Sequence, residues 1–520
     1  MATSKKIFFF GEDHLTAGLA LSLVRGTIIG QISETARKKI RESHQTVLRI
    51  VEMGQPVYGI NTGFGPLCTT KISKTETKIL QNSVGVGPPI ETEMSKLMLV
   101  LKAHSLAKGF SGIAEATLDR IIWHIDNDAI PLVPSQGSVG ASGDLAPLSH
   151  LFLPLVGLGK VRYIRKTITT AQLHRIYELE PLELGPKEGL ALINGTQFIA
   201  AHAVMVIDKM HACTTHADII GAMMIEGLQG SVKPFYKELH ELRPFKGNSH
   251  VASRIRFLLE DSEIMQDHID CERVQDPYSL RCIPQVHGAS RNAWLHLKEL
   301  LEIELNSVTD NPIIINEDLT ISGGNFHGQP LAMALDYVCL AASELGNISD
   351  RRIYLALEGN SPGVPKLLMK DTGINSGYMI LQYTTAALAS ENKGLCFPAS
   401  ADSIPTSLGQ EDHVSMGSIS GRKALQVLEN VEKILAIELL TAAQAFEFRK
   451  PMKSGVLLDE VHKTIRKKVA FADKDRVFSD DIEKGIEMIK GRTIIHSVQK
   501  TMKRNNLKME SPFEAEFEKY

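Results

Sequence analysis

The chain has 520 residues, more than one small core requires, so we expect about two to four domains or one large helical unit. Hydrophobic residues make up 43% of the chain and charged residues 22%, and the formal net charge is −3. This near-neutral balance gives no electrostatic basis for binding nucleic acid or an anionic membrane, so we expect neither as a partner.

The two parts of the chain predict different organisation. Residues 1–198 combine short helical stretches, glycine-rich turns and short strand-like segments such as residues 160–164, which predicts one N-terminal domain. In residues 199–520, apolar residues recur at spacings of three and four, which predicts a helical bundle and a mainly α fold. Three of these apolar stripes are Trp294, Leu297, Leu301 and Leu305; Leu331, Leu335, Val338, Ala342, Leu345 and Ile348; and Leu428, Val431, Leu435 and Leu439. The last twenty residues are rich in Lys and Glu and predict a solvated helix or a frayed tail.

Cysteine usage and the lack of long apolar runs predict a cytoplasmic protein. The six cysteines are scattered without CxxC spacing, which is no disulfide framework and favours a reducing compartment. The apolar run at residues 7–10 is too short for a secretory signal, and no stretch approaches the ~18 uncharged apolar residues of a membrane span. His202, His211, Cys213 and His216 lie close in sequence, but their spacing does not stack ligands on one helix face, so no metal site is expected.

The segment GSVGASGDLAPLSH at residues 137–150 carries most of the chemical information. It lacks the lysine and the spacing of a phosphate-binding loop, and it misses the GxSxG pattern of a hydrolase elbow by one residue. One simple interpretation is a helix entry built from small residues and capped by Asp144. A second is chemical: without a Cβ, the Gly143 nitrogen can approach the carbonyl carbon of Ala141, and Ser142 between them can lose its hydroxyl as water. Ring closure and two dehydrations would give 4-methylideneimidazole-5-one (MIO), an electrophile.

This segment resembles the cofactor-forming motif of the MIO-dependent aromatic amino-acid ammonia-lyases, and is most similar to the histidine branch. The resemblance extends over nearly the whole chain. Further matching segments, in family order, are VYGINTGFG at 57–65, FSGI at 110–113, EGLALINGTQ at 188–197, VQDPYSLRC at 274–282, GGNFH at 323–327 and QEDHVSM at 410–416. The resemblance implies an N-terminal MIO-forming domain followed by a long central helical bundle, an architecture like that of the ammonia-lyases and fumarases. It also implies a homotetramer whose active sites are shared between subunits, with no external cofactor.

The resemblance assigns the reacting groups. Ala141, Ser142 and Gly143 match the MIO triad, with Ser142 becoming a 2,3-didehydroalanine. Tyr58 matches the base that removes the β-proton, although an ordinary tyrosine, with a pKa of ~10, must be activated to do so. Asn194 matches a residue that hydrogen-bonds the MIO ring.

The resemblance also assigns the substrate-binding residues. Arg281 matches the residue that holds the substrate carboxylate, as a planar guanidinium does well. Tyr278 and Gln275 match polar residues of the same site and would share a helix face with Arg281 if the segment is helical. Phe326 matches a pocket aromatic, and Glu411 matches an acidic residue typical of the histidine branch, where it would accept an imidazole N–H.

The chain departs from the family pattern in three places. The segment KILQNSVGVG at residues 78–87 is shorter than usual by roughly half a dozen residues and lacks the expected histidine, with Asn82 nearest its place. VPKLL at 364–368 and Gly409 also differ from the usual residues. The resemblance, with Glu411 in particular, implies elimination of ammonia from L-histidine to give trans-urocanate, the first step of histidine degradation. The alternatives are a lyase or 2,3-aminomutase acting on tyrosine or phenylalanine, or a catalytically impaired family member.

Overall fold

The structure, a computed structural model, describes residues 5–53, 57, 60, 84–267 and 274–520. By its internal contacts the chain divides into two compact units. Unit 1 comprises Met1–Met205, Leu297–Asp336 and Pro398–Arg422, and unit 2 comprises Val206–His296, Tyr337–Phe397 and Lys423–Tyr520. Unit 1 differs from the predicted N-terminal domain in that its first segment runs to residue 205 and two later segments belong to it. The domain boundary between residues 198 and 199 stays a prediction.

The fold is mainly α. The α-helices in the described ranges are α1 (Ala17–Val24), α2 (Glu34–Met53), α3 (Thr92–Leu106), α4 (Glu115–Asp126), α5 (Leu145–Phe152), α6 (Thr170–Tyr177), α7 (Glu188–Ile193), α8 (Gln197–Gly227), α9 (Lys237–Glu241), α10 (Lys246–Leu258), α11 (Glu263–Asp267), α12 (Tyr278–Arg281), α13 (Ile283–Leu305), α14 (Gln329–Leu357), α15 (Met379–Leu395), α16 (Gly417–Glu447), α17 (Val456–Arg466), α18 (Phe478–Lys490), α19 (Thr493–Arg504) and α20 (Glu514–Phe517).

The strands in the described ranges are short and lie in unit 1. They are β1 (Ile7–Phe9), β2 (Ile29–Gln31), β3 (Val86–Pro89), β4 (Ile130–Pro131), β5 (Pro134–Gln136), β6 (Lys160–Tyr163), β7 (Lys166–Thr169), β8 (Ile313–Ile314) and β9 (Thr320–Ile321). β1 pairs with β2 in parallel, whereas β3–β5, β4–β6–β7 and β8–β9 are antiparallel. The strand predicted at residues 160–164 is β6.

The three predicted apolar stripes lie in long helices. The stripe that begins at Leu331 follows α14, the one at Leu428 follows α16, and the one at Trp294 follows α13, and their side chains are buried. α14 is the one helix in the described ranges that has the length and apolar composition of a membrane span, but 72% of its most apolar window is buried within the protein. A core helix passes the same test of length and composition.

Helix α3 forms the centre of unit 1. Every side chain from Leu97 to Leu106 is buried, and the helix contacts α1, α4, α5 and β4. A helix that is apolar on all faces belongs in a core. Its interior lysine, Lys102, is therefore carried inside with the apolar residues and is 1% exposed.

The C-terminal segment packs into unit 2, and the prediction of a solvated or frayed tail is wrong. Phe517 is 0% exposed, and its ring lies 5.1 Å from that of His250. Glu518 pairs with Arg254, and the Tyr520 hydroxyl donates to Asp208 Oδ1 at 2.6 Å. Lys and Glu dominate the composition of this segment, so its average polarity gives no indication of the contacts that Phe517 and Tyr520 make.

Candidate active site

The loop at residues 137–144 is shaped by left-handed backbone conformations. Gly137, Gly140 and Gly143 have φ values of 131°, 83° and 78°, and Ser142 has φ 50°. Glycine adopts this region freely, whereas a serine there is strained by about 1–2 kcal/mol. Strain held in place by its surroundings is typical of functional sites.

Gly143 lies directly against Gly195, which precedes helix α8. The Asp144 N–H donates to the Gly195 carbonyl at 2.8 Å, and the Gly195 N–H donates to the Ser142 carbonyl at 3.2 Å. A Cβ built on Gly143 would lie 2.1 Å from the Gly195 oxygen, so no other residue fits at position 143 without moving its neighbour. The two contacts hold the peptide groups on both sides of Gly143 in fixed orientations.

Asp144 joins the loop to the N-terminus of α8. Its Oδ2 accepts from the N–H groups of Phe198 and Ile199 at 3.1 and 2.9 Å, and its Oδ1 accepts from the Ser138 hydroxyl at 2.9 Å. It makes no capping bond to α5, so the predicted capping role applies to a different helix. Burial raises the pKa of Asp144 to about 7, although these three hydrogen bonds favour its ionised form.

Asn194 stands next to the loop at the C-terminal end of α7. It is 1% exposed, and its neighbour Gly195 is the residue that contacts Ser142 and Gly143. Its Oδ1 is buried without a hydrogen-bond partner in the described part of the chain. A buried amide atom without a partner costs roughly 1–3 kcal/mol, so Asn194 has an unused hydrogen-bonding group beside the loop.

Residues 415–418, at the start of α16, also contact the loop. The Met416 N–H donates to the Val139 carbonyl at 3.0 Å, and the Ser418 hydroxyl donates to the Ser138 carbonyl at 2.6 Å. A Cβ on Gly140 would lie 2.2 Å from the Ser415 hydroxyl oxygen. The segment that contains Glu411 is thereby tied to the loop.

Glu411 and Phe326 occupy neighbouring segments of unit 1. Both are half-buried, and Glu411 Oε2 is buried without a partner among the described residues. The His327 ring, next to Phe326, stacks on the His413 ring at 5.9 Å and lies 3.3 Å from the His413 carbonyl. This histidine pair joins the two segments that contain Phe326 and Glu411.

Gln275, Tyr278 and Arg281 belong to unit 2. Only the last two lie in a helix, because α12 begins at Tyr278, so the expectation that all three share one helix face is wrong for Gln275. The Arg281 guanidinium lies over the Tyr278 ring at 4.6 Å and donates through Nε to the Asp276 carbonyl at 2.9 Å. Pro277 is the N-cap of α12, and a proline disfavours the helical conformation at the residue before it, so the helix does not extend back to Gln275.

Tyr58 and Asn82 lie outside the described residues, and their roles stay predictions. The described chain resumes at Val84, just after Asn82. The Gly85 N–H donates to His150 Nε2 at 3.1 Å, and β3 pairs with β5 just before the loop. A Cβ on Gly137 would lie 3.1 Å from the Gly85 Cα.

Sequence reasoning missed a buried charged group behind Asn194. Lys102 Nζ donates to the Asn194 carbonyl, and Lys187 Nζ donates to Asp310 Oδ2 at 2.7 Å. A lysine inside the apolar run of α3 is a visible sequence signal, but its partner is 92 residues away. The motif EGLALINGTQ does not include Lys187, which directly precedes it.

Comparison with known proteins shows the family of this chain. Residues 15–467 match the aromatic amino acid lyase family. The chain belongs to this family. This membership makes the chain a lyase and confirms the resemblance on which the site assignments rest.

Similar family members are known in sequence and in structure. Histidine ammonia-lyase of Vibrio cholerae is 46% identical over 468 residues, covering 88% of this chain and 92% of the relative. Histidine ammonia-lyase of Trypanosoma cruzi has a similar crystal structure, with a TM-score of 0.88 and 36% identity over 98% of this chain and 97% of the other. Tyrosine aminomutase of Streptomyces globisporus is also similar, with a TM-score of 0.89 and 32% identity over 96% and 99% of the two chains. The predicted mainly α lyase fold is confirmed.

Proposed function

We propose that this lyase eliminates ammonia from L-histidine to give trans-urocanate, using an electrophile made from its own residues 141–143. The observation that carries the proposal is the strained Ser142–Gly143 turn held against Gly195 by a hydrogen bond on either side of Gly143. The names of the relatives at 46% and 36% identity support histidine as the substrate.

The residues of the loop fit formation of an MIO group. Closure joins the Gly143 nitrogen to the Ala141 carbonyl carbon, and the Ala141 oxygen leaves as water with the N–H protons of Gly143 and Ser142. The second water takes the Ser142 hydroxyl and its Cα proton, which leaves a methylidene carbon. The absence of a Cβ at Gly143 permits this close packing, and the buried Asn194 lies beside the loop. When formed, the group supplies an electrophilic carbon for the substrate amine.

The chain's own residues would bind and orient the substrate. The buried Oε2 of Glu411 lacks a partner among the described residues and would accept an imidazole N–H. Arg281 would bind the substrate carboxylate, where a guanidinium stacked on Tyr278 is held in a defined orientation. Tyr58 would accept the β-proton. We extend the proposal to a cytoplasmic homotetramer with shared active sites.

A lyase or 2,3-aminomutase acting on tyrosine or phenylalanine is the second candidate. The similarity to tyrosine aminomutase favours it, as does the lack of a histidine in residues 78–87. An aminomutase returns the amine to the β-carbon, so its product is a β-amino acid. A lyase releases ammonia and a conjugated acrylate. Product analysis by mass spectrometry therefore separates the two.

The test is incubation of the purified protein with L-histidine, L-tyrosine and L-phenylalanine while the ultraviolet absorbance of the acrylate product is followed. We expect product from histidine and none from the Ser142→Ala variant. No product from any of the three substrates would overturn the proposal of a lyase. Product from tyrosine or phenylalanine alone would overturn the choice of histidine.

Glu411 gives a sharper test of the choice of histidine. A hydrogen bond to a charged group contributes about 1.5–3 kcal/mol, so Glu411→Gln should lower kcat/KM for histidine roughly 10- to 150-fold. Asp412→Asn is the matched control, because Asp412 is the exposed neighbour, and it should change kcat/KM little. Equal effects of the two substitutions would contradict a role for Glu411 in binding imidazole.

A further inference from the structure

Lys102 is a buried lysine that donates to a backbone carbonyl. It is 1% exposed within α3, and its Nζ donates to the carbonyl oxygen of Asn194. In the described part of the chain it forms no ion pair of its own, because the nearby Asp310 carboxylate pairs with Lys187. Burial and repulsion by Lys187 lower the pKa of Lys102 to about 7, against the attraction of Asp310. Burial of a lysine without an ion-pair partner destabilises a folded protein, so its presence here indicates a role that offsets this cost.

One peptide group connects Lys102 to the loop. The Asn194–Gly195 peptide accepts at its oxygen from Lys102 and donates through its N–H to the Ser142 carbonyl at 3.2 Å. A donor on the carbonyl oxygen polarises a peptide and strengthens its N–H as a donor. A positive charge at Lys102 therefore strengthens the hydrogen bond that Gly195 donates to Ser142.

This hydrogen bond fixes the nitrogen that would close the ring. The Ser142 carbonyl and the Gly143 nitrogen share one planar peptide group, so holding the oxygen also holds the nitrogen. The Gly195 carbonyl restrains the next peptide by accepting from the Asp144 N–H at 2.8 Å. Both contacts depend on the position of Gly195, and Lys102 holds the peptide that precedes it.

We propose that Lys102 is a positioning residue for ring closure at residues 141–143, acting through the Asn194–Gly195 peptide on the carbonyl of Ser142. This inference rests on the proposed function, because ring closure is part of it. Lys102 touches neither the substrate nor the reacting atoms. It orders the strained turn before the reaction, as a preorganised polar group does.

The test compares Lys102→Met with Lys96→Met. Lys96 lies on the same helix and pairs with Asp128, away from the loop. The intact mass of each purified full-length variant is measured by mass spectrometry at set times after synthesis, and its thermal unfolding midpoint is recorded. We expect Lys102→Met to fold with an unfolding midpoint no lower than that of wild type, because methionine suits an apolar core, but to lose its two waters about tenfold more slowly. Lys96→Met should lose them at the wild-type rate.

Lys102→Gln separates a hydrogen-bonding role from a packing role. Glutamine keeps an N–H donor without the charge, so it should recover part of the rate that methionine loses. If Lys102→Met does not fold, Lys102→Gln is compared with Lys96→Gln, and slower ring closure in the former alone supports the inference. Equal rates at positions 102 and 96 would overturn the inference while leaving the proposed function intact. A wild-type chain of unmodified mass would overturn both.

Discussion

Gly143→Ala is the substitution for which the structure predicts the largest local effect. The added Cβ would lie 2.1 Å from the Gly195 oxygen and 2.5 Å from its carbonyl carbon, both backbone atoms that no side-chain rotation can move. Relief requires Gly195 to move away from the loop. That movement breaks the hydrogen bonds from Asp144 to Gly195 and from Gly195 to Ser142.

The size of this effect follows from two contributions. A non-glycine residue at the left-handed φ of 78° costs about 1–2 kcal/mol. Two lost backbone hydrogen bonds add about 0.5–1.5 kcal/mol each. We therefore expect the free energy of unfolding to fall by about 2–5 kcal/mol. Gly26→Ala is the matched control, because Gly26 has φ 67° and no atom within 4 Å of an added Cβ, so only the conformational cost of about 1–2 kcal/mol applies.

Urea unfolding of both variants measures the difference, and the intact mass reports whether the ring has formed. We expect Gly143→Ala to be less stable than Gly26→Ala by about 1–3 kcal/mol and to retain its unmodified mass. Equal stability of the two variants, together with normal loss of water from Gly143→Ala, would refute the argument that the contact with Gly195 shapes the loop.

Three further predictions concern the framework around the site. Lys187→Met leaves the buried Asp310 carboxylate without its partner and should lower the free energy of unfolding, measured in urea, by about 3–5 kcal/mol. The exposed pair of Lys96 gives the control, because Lys96→Met should lower the free energy of unfolding by at most about 1 kcal/mol. Equal losses in the two variants would contradict the pairing of Lys187 with Asp310. Phe517→Ala should lower the free energy of unfolding by about 3–5 kcal/mol, because its ring is fully buried. A change near zero would support the original prediction of a solvated C-terminal segment. Burial lowers the pKa of His124 to about 4, and the unfolded chain binds its proton near pH 6.5, so this group destabilises the fold as pH falls through that window. Between pH 6.5 and 4, the free energy of unfolding of His124→Gln should therefore change less with pH than that of wild type, by up to about 1.4 kcal/mol per pH unit. The same pH dependence in both proteins would contradict this.

The helices could be predicted because their signal is local. The apolar stripe from Leu331 to Ile348 repeats every three to four residues, and helix α14 contains all of it. The family motifs likewise marked Ser142 and Asn194, which the structure brings together through Gly195. Local spacing therefore predicted the mainly α fold, and the motif matches marked two residues, Ser142 and Asn194, that lie close together.

The remaining contacts could not be predicted because they join residues far apart in sequence. Asp144 binds N–H groups 54 and 55 residues later, so its own neighbours gave no indication of that contact. Lys102 reaches Asn194 across 92 residues. The C-terminal segment was predicted wrongly because its average composition is polar, while its position depends on contacts of Phe517, Glu518 and Tyr520 with residues far away in sequence.

The central claim is that the chain converts residues 141–143 into its own electrophile, and the intact mass of the purified wild-type protein tests it most directly. We predict a mass two water molecules below that of the unmodified sequence, with the whole difference in the peptide that spans Ser142. A mass equal to that of the unmodified sequence, with the Ser142 hydroxyl retained, would contradict the account.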